Sequence, residues 1–144
     1  MVLQHTLARS VLGGIVAAAF GLVLAPAGAR AEGCGADANQ SQLNMCADKA
    51  YGAADAALNT HYEAILSRLD GNDAAIDALR AAQRAWITFR DAECAFAASG
   101  VEGGSAYPMV LAGCLEDLTE ARVEALEGFL ACEEGDMSCP VPPQ

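Results

Sequence analysis

The sequence predicts an all-α fold, a small antiparallel three-helix bundle stapled by disulfides. Apolar residues recur at steps of three and four along three long stretches, and no stretch alternates with the period of a strand. All six cysteines fall between residues 34 and 139, in a segment the size of one domain.

Residues 1–31 read as a cleavable signal peptide. Arg9 precedes an apolar run from Val11 to Ala25, shorter than the roughly 20 residues that a spanning helix needs. Pro26, Gly28 and Arg30 end the run, and Ala29-Arg30-Ala31 supplies a small-x-small cleavage pattern with the cut after Ala31. A membrane anchor is the rival, and these interruptions argue against it. A lipoprotein would need an aliphatic residue three positions before Cys34, where Ala31 and Glu32 stand upstream. The expected division is therefore signal peptide 1–31, helical domain 32–131 and an irregular tail 132–144.

The first helix is expected from about Gln40 to Leu69. Asn39 and Gln42 have the spacing of a capping box, and Gly71 is a natural stop. Its apolar stripe is Leu43, Cys46, Ala50, Ala54, Leu58, Tyr62, Ile65 and Leu69. The second helix is expected to take Asp73 as N-cap and to run through Ala98. One face carries Ile76, Leu79, Ala82, Trp86, Phe89, Glu93 and Phe96, with Leu79, Trp86 and Phe89 the main buried residues. The Gly-rich loop Ser99 to Ser105 breaks it. Ser105 is expected to cap the third helix, which tolerates Pro108 because first-turn amides have no intrahelical partner. That helix shows Tyr107, Leu111, Cys114, Leu115, Leu118, Arg122, Ala125 and Phe129 on one stripe. Pro140, Pro142 and Pro143 mark the irregular tail. Short connections make neighbouring helices antiparallel.

An even cysteine count in a small exported domain indicates disulfides. Six cysteines allow fifteen pairings, and proximity favours Cys34–Cys46, Cys94–Cys114 and Cys132–Cys139. The exported part holds all 19 acidic residues against six basic ones (Lys49, Arg68, Arg80, Arg84, Arg90, Arg122), a formal charge of −13. Such a field repels nucleic acid and anionic membrane and favours cationic partners.

Several stretches resemble the lysozyme inhibitor LprI-like family. These are Asn44-Met-Cys46, Tyr51, Asp55, Leu58-Asn59 and Tyr62, then Leu79 to Cys94 with its Q-x-x-W-x-x-x-R-D-x-x-C run. Gly103-Gly-Ser105 and Cys114 to Arg122 complete the likeness, which spans about residues 34 to 130. The family pattern carries the first four cysteines, so Cys132, Cys139 and the Pro-rich tail stand outside it. The resemblance implies inhibition of lysozyme.

Asp55 and Asn59 lie one helical turn apart, and Gln83, Trp86 and Arg90 follow at spacings of three and four, so each set shares a helix face. Arg90 is expected to meet Asp55 between the first two helices, with Asn59 and Gln83 as further hydrogen-bond partners. Such a network fixes helix register more readily than it does chemistry. His61 lacks a spaced metal-ligating partner. Asp70-Gly-Asn-Asp73 lacks the later ligands of a calcium loop. The carboxylates of the third helix (Glu116, Asp117, Glu120, Glu124, Glu127) read as a solvated face. No enzyme, metal or cofactor is expected.

Two functional readings remain. One is an exported inhibitor that binds a cationic cell-wall hydrolase such as lysozyme, with Glu102, Gly103, Gly104 and Ser105 as the candidate contact loop. The other is an envelope interaction or stability module whose partner is another cationic envelope protein. The expected location is beyond the cytoplasmic membrane, and the periplasm if the organism has an outer membrane. Stable membrane insertion of the exported part is not expected.

Overall fold

The computed structural model describes residues 34–143. The expected signal peptide lies outside the described residues. Helix α1 spans Gln40–Arg68, α2 Asp73–Ala98 and α3 Tyr107–Leu130, with a single 3₁₀ turn at Ser99–Val101. The fold is all-α, with no strand among the described residues.

Local chemistry sets the helix ends. Asn39 closes a capping box with Gln42: the Asn39 side chain accepts from the Gln42 amide at 3.1 Å, and the Asn39 amide donates to Gln42 Oε1 at 2.9 Å. Past Leu69 the chain turns through Gly71 at φ 82°, a conformation a Cβ would oppose. Asn72, rather than the expected Asp73, caps α2 by accepting from the Ala75 amide at 3.2 Å. Asp73 instead occupies the first turn, where its charge complements the helix dipole.

Helices α1 and α3 run side by side in the same direction. At one end Asn44 Nδ2 donates to the Ser105 carbonyl at 3.0 Å, and at the other Arg68 Nη1 donates to the Leu130 carbonyl at 2.7 Å. Helix α2 returns between them in sequence and leans mainly on α3. Three disulfides are formed. Cys34–Cys46 ties the N-terminal segment to α1, Cys94–Cys114 joins α2 to α3, and Cys132–Cys139 closes a loop in the tail.

The rotation of α2 differs from the expected one. Phe89 is 54% exposed and Phe96 77%, whereas Gln83, Arg90, Cys94 and Ala98 are buried. The bridge to Cys114 turns Cys94 inward, and residues four and eleven positions earlier share its face. Phe96, two residues on, lies roughly 200° around the helix and so faces solvent. On α3 the deepest residues are Ala112, Thr119 and Leu126, a line to one side of the expected stripe and made of none of its members, because α3 is covered on both flanks, by α1 and by α2.

The apolar core sits at the end of the bundle away from the first two disulfides. Leu58, Ile65, Leu69, Leu126 and Val141 form its buried centre, with Tyr62, Ile76, Leu79, Trp86 and Phe129 packed around it. Val141 belongs to the irregular tail, yet it is only 2% exposed. Two local devices aim it. The Cys132–Cys139 loop is worth about 2.5 kcal/mol in the loop-entropy picture. Within it Asp136 Oδ1 accepts from the Ser138 amide at 2.8 Å and its hydroxyl at 2.6 Å. These bonds also hold the Asp136 carboxyl below the usual carboxylate range.

Val141→Asp is expected to lower unfolding stability by about 3 kcal/mol, because it leaves a polar group buried without a partner. Met137→Asp, at a fully exposed position of the same tail, should leave the urea midpoint of the oxidised protein unchanged. Equal midpoints for both variants would show that the tail does not contribute to the core.

Candidate functional site

Arg90 is the most densely partnered side chain of the bundle's middle. It projects from α2 and is buried. Its Nε and Nη2 donate to Asp91 Oδ1 at 3.0 and 2.8 Å, and Nη1 donates to Thr119 Oγ1 of α3 at 3.4 Å. Nη1 also lies 3.9 Å from Asp55 Oδ1 on α1, a loose ion pair. The guanidinium carbon sits 5.1 Å from the Trp86 ring centroid and 5.5 Å from that of Tyr51, within cation–π reach.

The four residues expected to form one network divide into two. Asn59 donates to Asp55 Oδ2 at 3.1 Å. Gln83 does not reach Arg90: its Oε1 accepts from Arg122 Nε at 3.1 Å. Arg122 also lies 5.9 Å from the Trp86 centroid, and burial pushes its guanidinium below its ordinary pKa. Asp91, Thr119, Tyr51 and Arg122 were absent from the expected set. Thr119 carries a weak signal, since it stands seven residues from both Ala112 and Leu126 and completes their line on α3.

The loop between α2 and α3 is exposed at Glu102, Gly103, Gly104 and Ser105. Gly103 has φ 76°, and a Cβ at Gly104 would meet the Val101 carbonyl oxygen at 3.0 Å. Ser105 does not cap α3 as expected. The helix begins after Ala106 with no side-chain cap. The Tyr107 amide is already satisfied by the Gly104 carbonyl at 3.2 Å and Pro108 has no amide, so little remains for a cap to do. The Ser105 carbonyl is instead held by Asn44. The Cys94–Cys114 bridge flanks the loop on its other side.

Residues 32–126 match the family described as "Lysozyme inhibitor LprI". The chain belongs to the LprI lysozyme-inhibitor family. It is also 38% identical over 112 residues to an uncharacterized protein of Rhizobium meliloti (strain 1021), covering 70% of this chain and 81% of the relative. No solved structure matches it. The disulfides and the family together mark an envelope or extracellular protein. Among the described residues no helix is long and apolar enough to cross a membrane.

In this LprI domain the carboxylates of α3 do more than solvate a face. Glu116, Glu120, Glu124 and Glu127 wall a groove of about 580 Å³ whose floor is Ala50, Ala53, Ala54 and Ala57 of α1. His61 Nε2 stands 3.1 Å from Glu127 Oε1. Burial, together with the charges of Glu120 and Asp117, raises the Glu116 pKa. Among the described residues no cluster of three metal-ligating side chains forms.

Two outcomes follow. Arg90→Ala should destabilise the oxidised protein by about 3 kcal/mol, with Arg90→Lys intermediate because it keeps the charge and loses the fork. An unchanged midpoint would remove Arg90 from any part in the register of the bundle. Glu116 binds its proton more tightly in the fold than in the unfolded chain. Its contribution to stability therefore rises as pH falls through the raised carboxylate range and is lost above it. Glu116→Gln should raise the neutral-pH melting temperature by roughly 2 °C at low salt, from relief of its i,i+4 repulsion with Glu120, and the gain should vanish at acid pH.

Proposed function

We propose that this domain is exported by the signal peptide at residues 1–31 and binds a cationic cell-wall hydrolase of the lysozyme type, so protecting peptidoglycan. The match over residues 32–126 to the lysozyme-inhibitor family carries this reading. The physical chemistry agrees with it. A part of the chain carrying 19 acidic and six basic residues attracts a cationic enzyme over long range. The loop Glu102 to Ser105, tied by a disulfide on one side and by Asn44 on the other, can enter a cleft with little ordering cost. Its action is occlusion, not chemistry: the protein is an inhibitor rather than an enzyme. It works in the periplasm where an outer membrane exists and outside the cell otherwise.

Oxidised protein comprising residues 32–144 should slow cell-wall lysis by lysozyme in a turbidity assay, more strongly at low than at moderate salt. Glu102→Lys should weaken inhibition by roughly 5-fold at low salt with no change in melting temperature. Absence of inhibition across several lysozyme classes would end the proposal, whereas unchanged potency of Glu102→Lys would move the contact away from the loop.

A further inference from the structure

Because α2 leans on α3, it stands off from α1, and a cleft of about 300 Å³ opens between α1 and α2. Its lining runs against the charge of the rest of the molecule. Arg80, Arg84 and Arg90 of α2 face it together with Asp55, Asn59 and Tyr62 of α1. Half of the six basic residues in the strongly acidic part of the chain thus collect in one cleft, with Asp55 the only acidic residue lining it among the described residues. That carboxylate is already engaged by Asn59 and approached by Arg90.

The remaining donors are poorly used by the protein itself. Among the described residues Arg80 has only Asp77, at 3.7 Å on the exposed surface, and Arg84 forms no ion pair. The two lie at i and i+4, a spacing at which like charges repel. Gln83 also lines the cleft and is 9% exposed. Its Oε1 is taken by Arg122, and among the described residues its Nε2 has no protein acceptor. Among the described residues no fully buried polar side-chain atom lacks a partner, so this amide reaches solvent through the cleft. A nine-tenths buried donor and two underused guanidinium groups therefore converge on a space large enough for a small ligand.

We propose that the α1/α2 cleft is a binding site for an oxyanion, a carboxylate or phosphate group on a small hydrophilic molecule. Arg80 and Arg84 grip the anion through charge-assisted hydrogen bonds, and Gln83 Nε2 adds a directed donor from the cleft wall. Leu58 and Ile87 supply its apolar side. The site lies between α1 and α2, on a different face of α1 from the glutamate-walled groove, and it does not depend on hydrolase inhibition.

The test is a ¹H–¹⁵N NMR titration of the oxidised protein with sodium phosphate, sodium glucuronate and glucose as a neutral control. Saturable shifts at Asn59, Gln83 and Arg84 are expected with phosphate, glucuronate or both, and the stronger arm names the group. Arg80→Gln/Arg84→Gln, changing two exposed side chains, should weaken that binding by roughly 10-fold or more while the melting temperature holds. No saturable shift with either anion, equal shifts with glucose, or undiminished binding by the double variant would each overturn the proposal.

Discussion

The structure depends on one buried charge. Arg90 belongs to α2, is hydrogen-bonded to Thr119 of α3 and faces Asp55 of α1, so its position is correct only when all three helices are in register. A guanidinium withdrawn from water is costly unless its donors find acceptors; Asp91 of the same helix serves Nε and Nη2, and a slip by one residue would strand Nη1. Aromatic rings of Trp86 and Tyr51 complete its surroundings. Apolar packing and the Cys132–Cys139 loop stabilise the far end of the molecule, and the first two disulfides the near end. The arginine between them selects one arrangement among the many that three amphipathic helices could adopt.

Charge is divided with similar economy. Helix α3 carries a row of glutamates along its groove with α1, whereas α2 turns arginines toward its cleft with α1. The same helix α1 thus borders an acidic surface on one side and a basic one on the other. Long-range attraction of cationic macromolecules follows from the total, because at separations larger than the spacing between individual charges the net charge dominates, out to the Debye length at which salt screens it. Recognition at contact range depends on which surface is met.

Helix periodicity, the Asn39–Gln42 capping box and cysteine spacing make the three helices legible from sequence, because each is a local signal, whereas the caps of α2 and α3 fall one residue from the expected Asp73 and away from Ser105. The stripe of α1 from Leu43 to Leu69 points inward as its spacing implies. The rotation of α2 is not legible in the sequence, because Phe89 and Phe96 outweigh Gln83 and Arg90 on any hydrophobic scale yet stand exposed. The inward face is chosen by the Cys94 bridge and the arginine's partners, which are long-range facts. Of the polar network, the Asp55–Asn59 pair was visible as an i,i+4 step. The Gln83–Arg122 and Arg90–Thr119 bonds span 39 and 29 residues and leave no periodic trace. The two grooves were invisible for the same reason, since each is made by two helices at once.

Val141 lies later in the chain than every other residue of the core it completes. Folding therefore cannot finish while synthesis is still short of that point. A chain that lacks it leaves the apolar end of α1, α2 and α3 uncovered. The oxidised loop beside Val141 then needs a compartment in which thiols pair. The last-made stretch of the described chain thus completes its core, and the bond that aims it forms only where thiols can pair.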